Sequence, residues 1–580
     1  MELGKTTGRE TLRAALVYTV VTLVATWPLV LHLGDHVPGT DLWNGRSINF
    51  ESPVNLWNLW WFRHSVWELK QSPFHCPLIF YPVGADLWYH TLSPLLGAVG
   101  LLLQAVFPLV VTQNLIILAC FVASAACTFR LARALGLPPP GSLLAGAVFA
   151  FCPTVFSHLY AGHVELLTTF WLPAMLLCFL RIIEAKNPPW RRGIMLGLLF
   201  VGAAYSCLYY CVLGAELLAI AVVVRWRGLL RARVAGILAV SVTIAVLGML
   251  PVLSHLAGNA LGQPPARDFY LFSADSLGAI VPSFTNPLAK HWLAPVHVRL
   301  NRLHPQEVTI FLGLSVLGLA IYAVLRHICA VTRHEARHAW LTLLMSIAVI
   351  FWILSLGSRL KVYGHLSQVP LPSAVFLSVP VLSQIRAPGR YFIPAMLGFG
   401  LLAGAGFDSI RRSRWHLAVI ALIALEYAAV PVPLWSTKVA DAYDGLGQLP
   451  PGSAVMGLPL GMRDGHTILG SPDSTQMYAQ TIHGRPIVTG MASRLPNATW
   501  DALERMPVIG TLLRGQFTTE NLLRDAKEGP GFFARWKIDA IVVQSAERNS
   551  AALRYIERVL PVENREAFPD GSQLLELAKR

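Results

Sequence analysis

The feature that most constrains this chain is a series of apolar runs separated by short clusters of Lys and Arg. A helix of about 20 apolar residues is long enough to cross the hydrocarbon core of a bilayer. Hydrophobic residues make up 54% of the 580 residues and charged residues only 13%. A soluble protein of this size could not cover that much apolar surface. The sequence therefore predicts an α-helical polytopic membrane protein.

The apolar runs and the basic clusters together predict a topology with about eleven transmembrane helices. Short connections rich in Lys and Arg stay in the cytoplasm, which places the N-terminus inside and the chain after the last helix outside. This assignment requires that the run Leu95–Val111, interrupted by Gln104 and Pro108, lies along the interface and does not cross. The predicted helices cover residues 14–33, 113–132, 141–157, 164–183, 193–207, 208–224, 234–255, 308–325, 339–356, 390–408 and 415–433.

The same topology predicts the domain organisation. Residues 1–433 form the transmembrane domain, with a first outer loop at 34–112 that carries juxtamembrane helices and a second outer loop at 256–307. Residues 434–580 have ordinary globular composition, and two short apolar runs in them are typical of buried strands. We expect a small extracytoplasmic α/β domain there, attached to a multi-pass protein of the inner (plasma) membrane.

Several function classes are disfavoured by the sequence. The net charge of +14 comes from Lys and Arg between apolar runs, which suits anionic lipid and not nucleic acid. Walker A, Rossmann and nucleophile-elbow motifs are missing from the sequence. The eight cysteines include no CxxC pair. The first run, Ala14–Leu33, follows basic residues like a signal peptide but lacks a small-x-small cleavage site, so we keep it as a helix.

The first outer loop contains the acidic candidate Glu51, which precedes Ser52-Pro53 and a helix-like run. An acid and a proline at this position suit a helix N-terminus, so one interpretation is a helix cap. The other is a general base at the membrane surface. His90 precedes the interfacial run and is a second candidate on the same predicted side.

Further candidates lie at the predicted outer ends of spans. His163 and Glu165 begin the span at 164–183, although isolated residues of this kind are often packing residues. No HxxxH or HExxH spacing joins these groups with Glu51 and His90, so the sequence does not support a divalent metal and does not exclude one. Arginine suits phosphate oxygens through its forked donors, or anchors a surface. The outer arginines singled out for substrate binding are Arg63, Arg386 and Arg390.

Several short segments resemble the GT-C superfamily of polytopic glycosyltransferases, particularly uncharacterised bacterial members. The resemblance covers roughly residues 1–435 and, more loosely, 452–496. The segments are ESPVNLWNLWWF (51–62), FYPVG (80–84), HTLSP (90–94), RLARALG (130–136), GHVELLTTFW (162–171) and RAPGRYF (386–392).

The resemblance implies transfer of a sugar from a polyprenyl-phosphate carrier to a glycan, lipid or protein acceptor outside the cytoplasm. It also implies that an acid of the first outer loop serves as base, usually an Asp. Glu51 stands at the matching position with an arm longer by one methylene, and Asp41 is the reserve candidate. His90 resembles a histidine that precedes the interfacial helix in related enzymes. The implied displacement would invert the anomeric centre.

Two other interpretations remain open from the sequence. A transporter or flippase of lipid-linked saccharides would also need many spans, and it predicts charges inside them; Glu216 and Glu426 are the clear cases. A non-catalytic envelope assembly protein would use the tail to bind polymers. The sequence names neither the sugar nor the acceptor.

Overall fold

The computed structural model describes residue 4 and residues 6–40, 51–258, 266–300, 304–329, 335–379, 382–410 and 414–578. Its contacts divide the chain into two compact units. The first, called here the span unit, comprises Met1–Asn49 and Asn114–Trp435. The second, called the loop–tail unit, comprises Phe50–Gln113 and Ser436–Arg580.

Helices dominate the described residues. In chain order they are α1 (Gly8–Ala25), α2 (Glu51–Arg63), α3 (Pro94–Leu103), α4 (Leu109–Ala134), α5 (Pro139–Ala150), α6 (Pro153–Tyr160), α7 (Trp171–Glu184), α8 (Arg191–Ser206), α9 (Leu208–Val224), α10 (Ala232–Gly258), α11 (Ala266–Leu271), α12 (Ala294–Leu300), α13 (Pro305–Val308), α14 (Leu314–Cys329), α15 (Glu335–Ser355), α16 (Phe392–Asp408), α17 (Arg414–Glu426), α18 (Thr475–His483), α19 (Asn497–Arg505), α20 (Ile509–Arg514), α21 (Thr519–Arg535) and α22 (Ala551–Val559).

The strands are short. They are β1 (His36–Pro38), β2 (His75–Cys76), β3 (Ala85–Asp86), β4 (Arg359–Val362), β5 (His365–Pro370), β6 (Leu434–Ser436), β7 (Ala454–Leu458), β8 (Gly461–Arg463), β9 (Ile468–Gly470), β10 (Gly490–Met491), β11 (Ile538–Val543), β12 (Val562–Ala567) and β13 (Gln573–Leu577).

Five helical segments of the described residues are long and apolar enough to cross a membrane: Leu109–Ala134, Pro139–Tyr160, Val164–Glu184, Ala232–His255 and Pro388–Asp408. Shorter apolar helices occupy several other predicted spans, at Leu208–Val224, Leu314–His327 and Trp340–Ser355. The chain is thus mainly helical and rich in apolar spans, whereas the number of about eleven stays a prediction.

The run that was expected to lie along the interface contains a helix too short to cross. α3 has 10 residues, which at 1.5 Å per residue gives about 15 Å, roughly half the hydrocarbon thickness. Pro94 occupies its first turn, where a proline loses no helical hydrogen bond. Residues between α3 and α4 include Pro108, and α4 begins directly afterwards.

Within the span unit, α16 runs through the interior and its glycines permit close helix packing. A Cβ on Gly404 would lie 2.4 Å from the backbone oxygen of Gly141 in α5, and one on Gly406 would lie 2.1 Å from that of Leu319 in α14. The Asp408 carboxylate also accepts a hydrogen bond from the Gly141 N–H at 2.9 Å. These contacts hold α16 in place, and with it the residues at its N-terminal end.

The loop–tail unit is built on a four-stranded sheet with the order β12-β13-β11-β7. β11 pairs with β7 in parallel and with β13 antiparallel, so that Ile541 lies opposite Met456 on one side and Leu575 on the other. Alternating and continuous apolar residues in these strands are typical of a sheet covered by helices. Its helix α21 carries the buried Asp525, whose carboxylate accepts hydrogen bonds from Thr511 and Tyr555 at 2.6 and 2.8 Å.

Residues of the first outer loop belong to the core of this unit. Trp57 and Trp61 of α2 are fully buried in one cluster with Met456, Met462 and other residues of the tail. The Trp57 Nε1–H donates to the Gln480 side chain of α18 at 2.6 Å. The expected boundary at residue 433 therefore differs from the contacts: residues 50–113, assigned above to the transmembrane domain, pack with residues 436–580 because their tryptophans need that apolar cover.

Candidate functional site

The residues singled out in the sequence fall into both units. Glu51, Arg63 and His90 belong to the loop–tail unit, and His163, Glu165, Arg386 and Arg390 belong to the span unit. Asp41 lies outside the described residues. The two groups are described separately.

Glu51 is the first residue of α2 and is partly exposed. Its backbone oxygen accepts a hydrogen bond from the Asn55 side chain at 2.9 Å. Within the described part of the chain, its carboxylate has neither a hydrogen bond nor an ion pair. No described residue therefore occupies the lone pairs of its oxygen atoms.

His90 is held at both ring nitrogens. Its Nε2 lies 2.8 Å from the Asn58 side-chain oxygen, and its Nδ1 lies 3.2 Å from the backbone N–H of Ser493. Because the Ser493 N–H can only donate, Nδ1 accepts and Nε2 carries the proton. Burial lowers the pKa of His90 to about 4, against the opposing effect of the nearby Glu51 carboxylate. His90 is therefore neutral near pH 7 and connects α2 to the segment after β10.

Arg63 ends α2 and lies near the surface. Its guanidinium is 3.8 Å from the Glu68 carboxylate, and the two side chains are 42% and 44% exposed. Glu68 also contacts His64 Nδ1 at 2.6 Å. This is an exposed ion pair of the kind that contributes little to stability.

His163 in the span unit lies in a buried cluster with two residues that the sequence analysis did not single out. Its Nδ1 is 3.1 Å from the Nδ1 of His158 and 3.9 Å from a carboxylate oxygen of Glu307. All three residues are buried, with exposures of 8% for His163, 1% for His158 and 6% for Glu307. Three separate segments supply them: His158 lies in the last turn of α6, His163 follows the turn at Gly162, and Glu307 lies in α13.

Arg390 clamps Glu307 with two parallel hydrogen bonds. Its Nε and Nη2 donate to the two carboxylate oxygens at 2.7 and 2.6 Å, and its guanidinium lies 4.4 Å from the ring centre of Tyr209. Burial alone would raise the pKa of Glu307, but the charge and hydrogen bonds of Arg390 outweigh it and hold the pKa well below its usual range. Glu307 is therefore an ionised carboxylate of fixed orientation.

Gly389 explains why Arg390 reaches this carboxylate. A Cβ at Gly389 would lie 1.9 Å from the backbone oxygen of Glu307, so only glycine permits the two backbones to approach so closely. The Gly389 N–H also donates to the Phe272 backbone oxygen at 3.0 Å. The RAPGRYF segment thus docks on α13 and aims Arg390 at Glu307.

The other two candidates of this unit are Arg386 and Glu165. Arg386 lies over the ring of Phe272, with 5.1 Å from its guanidinium carbon to the ring centre. Glu165 is buried in the helical turn that begins at Val164, two residues after His163. The geometry therefore joins His163 and Arg390 through Glu307.

His158 and Glu307 were missed for understandable reasons. His158 lies one residue past the predicted span 141–157, and Glu307 is the last residue of the predicted second outer loop. Glu307 is 83 residues from Arg390 along the chain. The available signal was an acid and two histidines, each at the predicted outer end of a span.

Solved structures of the same fold are glycosyltransferases of the GT-C superfamily. The arabinofuranosyltransferase AftD from Mycobacteria matches with a TM-score of 0.59 and 14% identity over 100% of this chain and 42% of that one. The chain thus spans less than half of that enzyme's length. These matches confirm the GT-C-like fold that the sequence motifs implied.

Two structures of the oligosaccharyltransferase from Archaeoglobus fulgidus also match. One, tethered to an acceptor peptide, has a TM-score of 0.50 and 11% identity over 99% of this chain and 74% of that one. The other, bound to an inhibitory peptide and a dolichol-phosphate, has a TM-score of 0.50 and 10% identity over 98% and 74%. No curated protein matches the sequence. Residues 54–428 match the protein family described as "Domain of unknown function (DUF6311)".

Proposed function

The chain belongs to the DUF6311 family, and from its fold and side-chain chemistry we propose that it is a membrane glycosyltransferase. It moves a sugar from a polyprenyl-phosphate carrier to a glycan, lipid or protein acceptor on the outer face of the membrane. The oligosaccharyltransferase with the same fold binds a dolichol-phosphate, a lipid carrier of this chemical class. The acceptor reacts through a hydroxyl or an amide group.

The observation that carries this proposal is the Glu51 carboxylate, which has no hydrogen bond or ion pair among the described residues. A general base needs a lone pair that is not already committed to an internal donor. Among the described residues no backbone N–H of α2 donates to this carboxylate, so it does not cap the helix by a hydrogen bond. A carboxylate oxygen with an uncommitted lone pair can accept a proton from an acceptor group.

The proposed step is a single displacement. An acceptor oxygen or nitrogen attacks the anomeric carbon, its proton passes to Glu51, and the bond from that carbon to the phosphate oxygen breaks. The polyprenyl phosphate leaves with the bonding electron pair, and an arginine that neutralises its charge makes it a better leaving group. Direct displacement inverts the anomeric centre.

The remaining residues take supporting roles in this proposal. His90 is a positioning residue that orients α2, because both of its ring nitrogens are engaged. In the span unit, Arg386 is the candidate for contacting a carrier phosphate, since Arg390 is committed to Glu307. Arg63 ends α2, at the opposite end from Glu51, and is a separate candidate for binding substrate. His163 and Glu165 line the outer end of a span in the predicted topology. Asp41 is the alternative base.

The test uses cells that lack the protein and mass analysis of their envelope glycans and lipid-linked sugars. The intact protein should restore the missing saccharide, and so should Glu520→Gln, a matched change at an exposed acid of α21. Glu51→Gln should reduce transfer by about 10²–10⁴-fold while leaving expression unchanged, as expected for loss of a base. Glu51→Asp should retain part of the activity.

Normal restoration by a folded Glu51→Gln protein would show that Glu51 is not the base, and Asp41→Asn would then be tested in the same way. Cells lacking the protein that keep every saccharide but fail to move one across the membrane would instead support a flippase. That outcome would contradict the transferase proposal itself.

A further inference from the structure

The cluster at His158, His163 and Glu307 has the donor set of a metal site. Two imidazole nitrogens and one carboxylate oxygen all lie within 4.8 Å of one another. The Nδ1 atoms of the two histidines point towards each other, and the Nδ1 of His163 faces Glu307. From this arrangement we propose that the span unit binds one divalent transition-metal ion, zinc in preference, through these three side chains.

The spacing between donors supports an ion. Zinc lies about 2.0–2.1 Å from nitrogen and about 2.0–2.2 Å from oxygen ligands, so neighbouring tetrahedral ligands are about 3.3–3.5 Å apart. The distances of 3.1 Å between the two Nδ1 atoms and 3.9 Å from His163 to Glu307 lie on either side of this value. The second distance is too long for a hydrogen bond, but it suits two ligands of one ion.

The surroundings supply what such a site requires. Arg390 fixes the orientation of the Glu307 carboxylate through two hydrogen bonds. A partner that orients a ligand from outside the coordination sphere is a regular feature of metal sites. All three side chains are buried. Three protein ligands leave a fourth tetrahedral position open.

The donor types select among metals. Imidazole nitrogen suits zinc, iron, copper and nickel, whereas magnesium and calcium prefer a shell of oxygen atoms. Cys207 is not among the three donors. The proposal is independent of the transferase activity, because it concerns the metal content of the purified protein.

A second group, His32, Asp35 and His36, provides an internal control. Its donor atoms are also within 4.8 Å of one another, but Asp35 sits between the imidazoles at 3.5 and 3.0 Å and is 67% exposed. These contacts are ordinary surface ion pairs when the histidines are protonated. Loss of this group should leave the buried site intact.

The experiment measures zinc bound to the full chain, purified in detergent with an affinity tag that contains no histidine. After equilibration with zinc chloride and removal of free metal, elemental mass spectrometry should find about one zinc per chain, as three protein ligands to one ion require. The double variant His32→Gln/His36→Gln should retain this zinc. His158→Gln and His163→Gln should lose it. Zinc should raise the melting temperature of the unaltered protein and of the double variant, but not of His158→Gln or His163→Gln.

Because a histidine variant could lose zinc simply by misfolding, the site is also tested in the unaltered protein by replacing zinc with cobalt and recording the absorption spectrum. The unaltered protein should show visible cobalt d–d absorption without a thiolate charge-transfer band, and Cys207→Ser should leave the spectrum unchanged. Retention of zinc by folded His163→Gln, or absence of both zinc and the cobalt spectrum from the unaltered protein, would overturn the proposal. Zinc lost from the His32/His36 double variant would overturn it as well, because the metal would then belong to the exposed group.

Discussion

Glu307 in the span unit and Glu51 in the loop–tail unit are two carboxylates in opposite circumstances. Glu307 is buried, and both of its oxygens accept hydrogen bonds from Arg390. Glu51 is partly exposed and has no hydrogen bond or ion pair among the described residues. Glu307 is thus fixed in orientation and its charge is compensated, whereas no described residue fixes or compensates the Glu51 carboxylate.

This difference in pairing distinguishes carboxylates that stabilise the fold from carboxylates that can react. Removing one charge of a buried pair leaves the other charge buried without a partner, so the substitution mainly lowers stability. Removing an unpaired charge at the surface of a unit changes few internal contacts, so any large effect must arise in chemistry or binding. Matched Glu→Gln changes at both positions therefore give opposite signatures.

The largest stability effect is expected for Glu307→Gln. This change leaves the buried Arg390 guanidinium without its countercharge, and breaking such a pair costs about 3–5 kcal/mol. The apparent melting temperature in detergent should fall by several degrees, while Glu51→Gln should leave it unchanged. Equal melting temperatures for Glu307→Gln and the unaltered protein would show that the ion pair of Glu307 with Arg390 does not stabilise the span unit.

A second engaged carboxylate, Asp525, extends the comparison to pH. Burial raises its pKa, but hydrogen bonds from Thr511, Arg524 and Tyr555 outweigh burial and leave the pKa below its usual value. Its contribution to stability is complete above about pH 4, the value for an unfolded Asp, and is lost as pH falls through the lowered pKa. Asp525→Asn should cost about 1–3 kcal/mol near neutral pH.

Thermal melting of Asp525→Asn between pH 7 and pH 2 measures this contribution. The difference in melting temperature between the variant and the unaltered protein should shrink at the acid end. A constant difference over the whole range would mean that the carboxylate charge is not what stabilises the unit.

A third prediction concerns His90, whose folded pKa of about 4 lies below the ordinary value of about 6.5. Between these values the unfolded chain binds a proton that the folded protein does not, so stability rises with pH across this window. His90→Asn should flatten that rise and cost about 1–3 kcal/mol at pH 7 through lost hydrogen bonds.

The exposed His75 provides the matched control, as His75→Asn. Melting curves at several pH values from 4 to 7 measure both variants. If stability rises with pH as steeply in His90→Asn as in the unaltered protein, His90 takes up a proton in the folded state. His90 would then be a candidate acid or base beside Glu51.

The smallest stability effect is expected for Arg63→Ala. Its ion pair with Glu68 is exposed, and such pairs contribute about 0–1 kcal/mol. A clear loss of sugar transfer with an unchanged melting temperature would place Arg63 with Glu51 among the residues that act on the substrate. A change in neither would remove it from that group.

The sequence predicted a mainly helical chain rich in apolar spans because apolar length is a local property that survives folding. It also pointed to His163 and Arg390, which the structure joins through Glu307. The role of Glu307 could not be predicted, because its partner Arg390 is 83 residues away and no local sequence pattern indicates that the two side chains contact each other. The tryptophans of α2 were interpreted as part of a membrane-proximal loop, because local sequence cannot show that Met456 and Met462 cover them.

The discontinuous core of the loop–tail unit has a consequence for biosynthesis. Trp57 and its hydrogen-bond partner Gln480 are separated by 423 residues. At translation rates of about 5–20 residues per second, α2 waits roughly 20–85 s for that partner to be made. During this interval the ribosome produces the rest of the span unit while two large indoles lack their final cover. A tail fragment produced alone would have the converse defect, an apolar face missing α2, and both intermediates would be targets for chaperones and proteases.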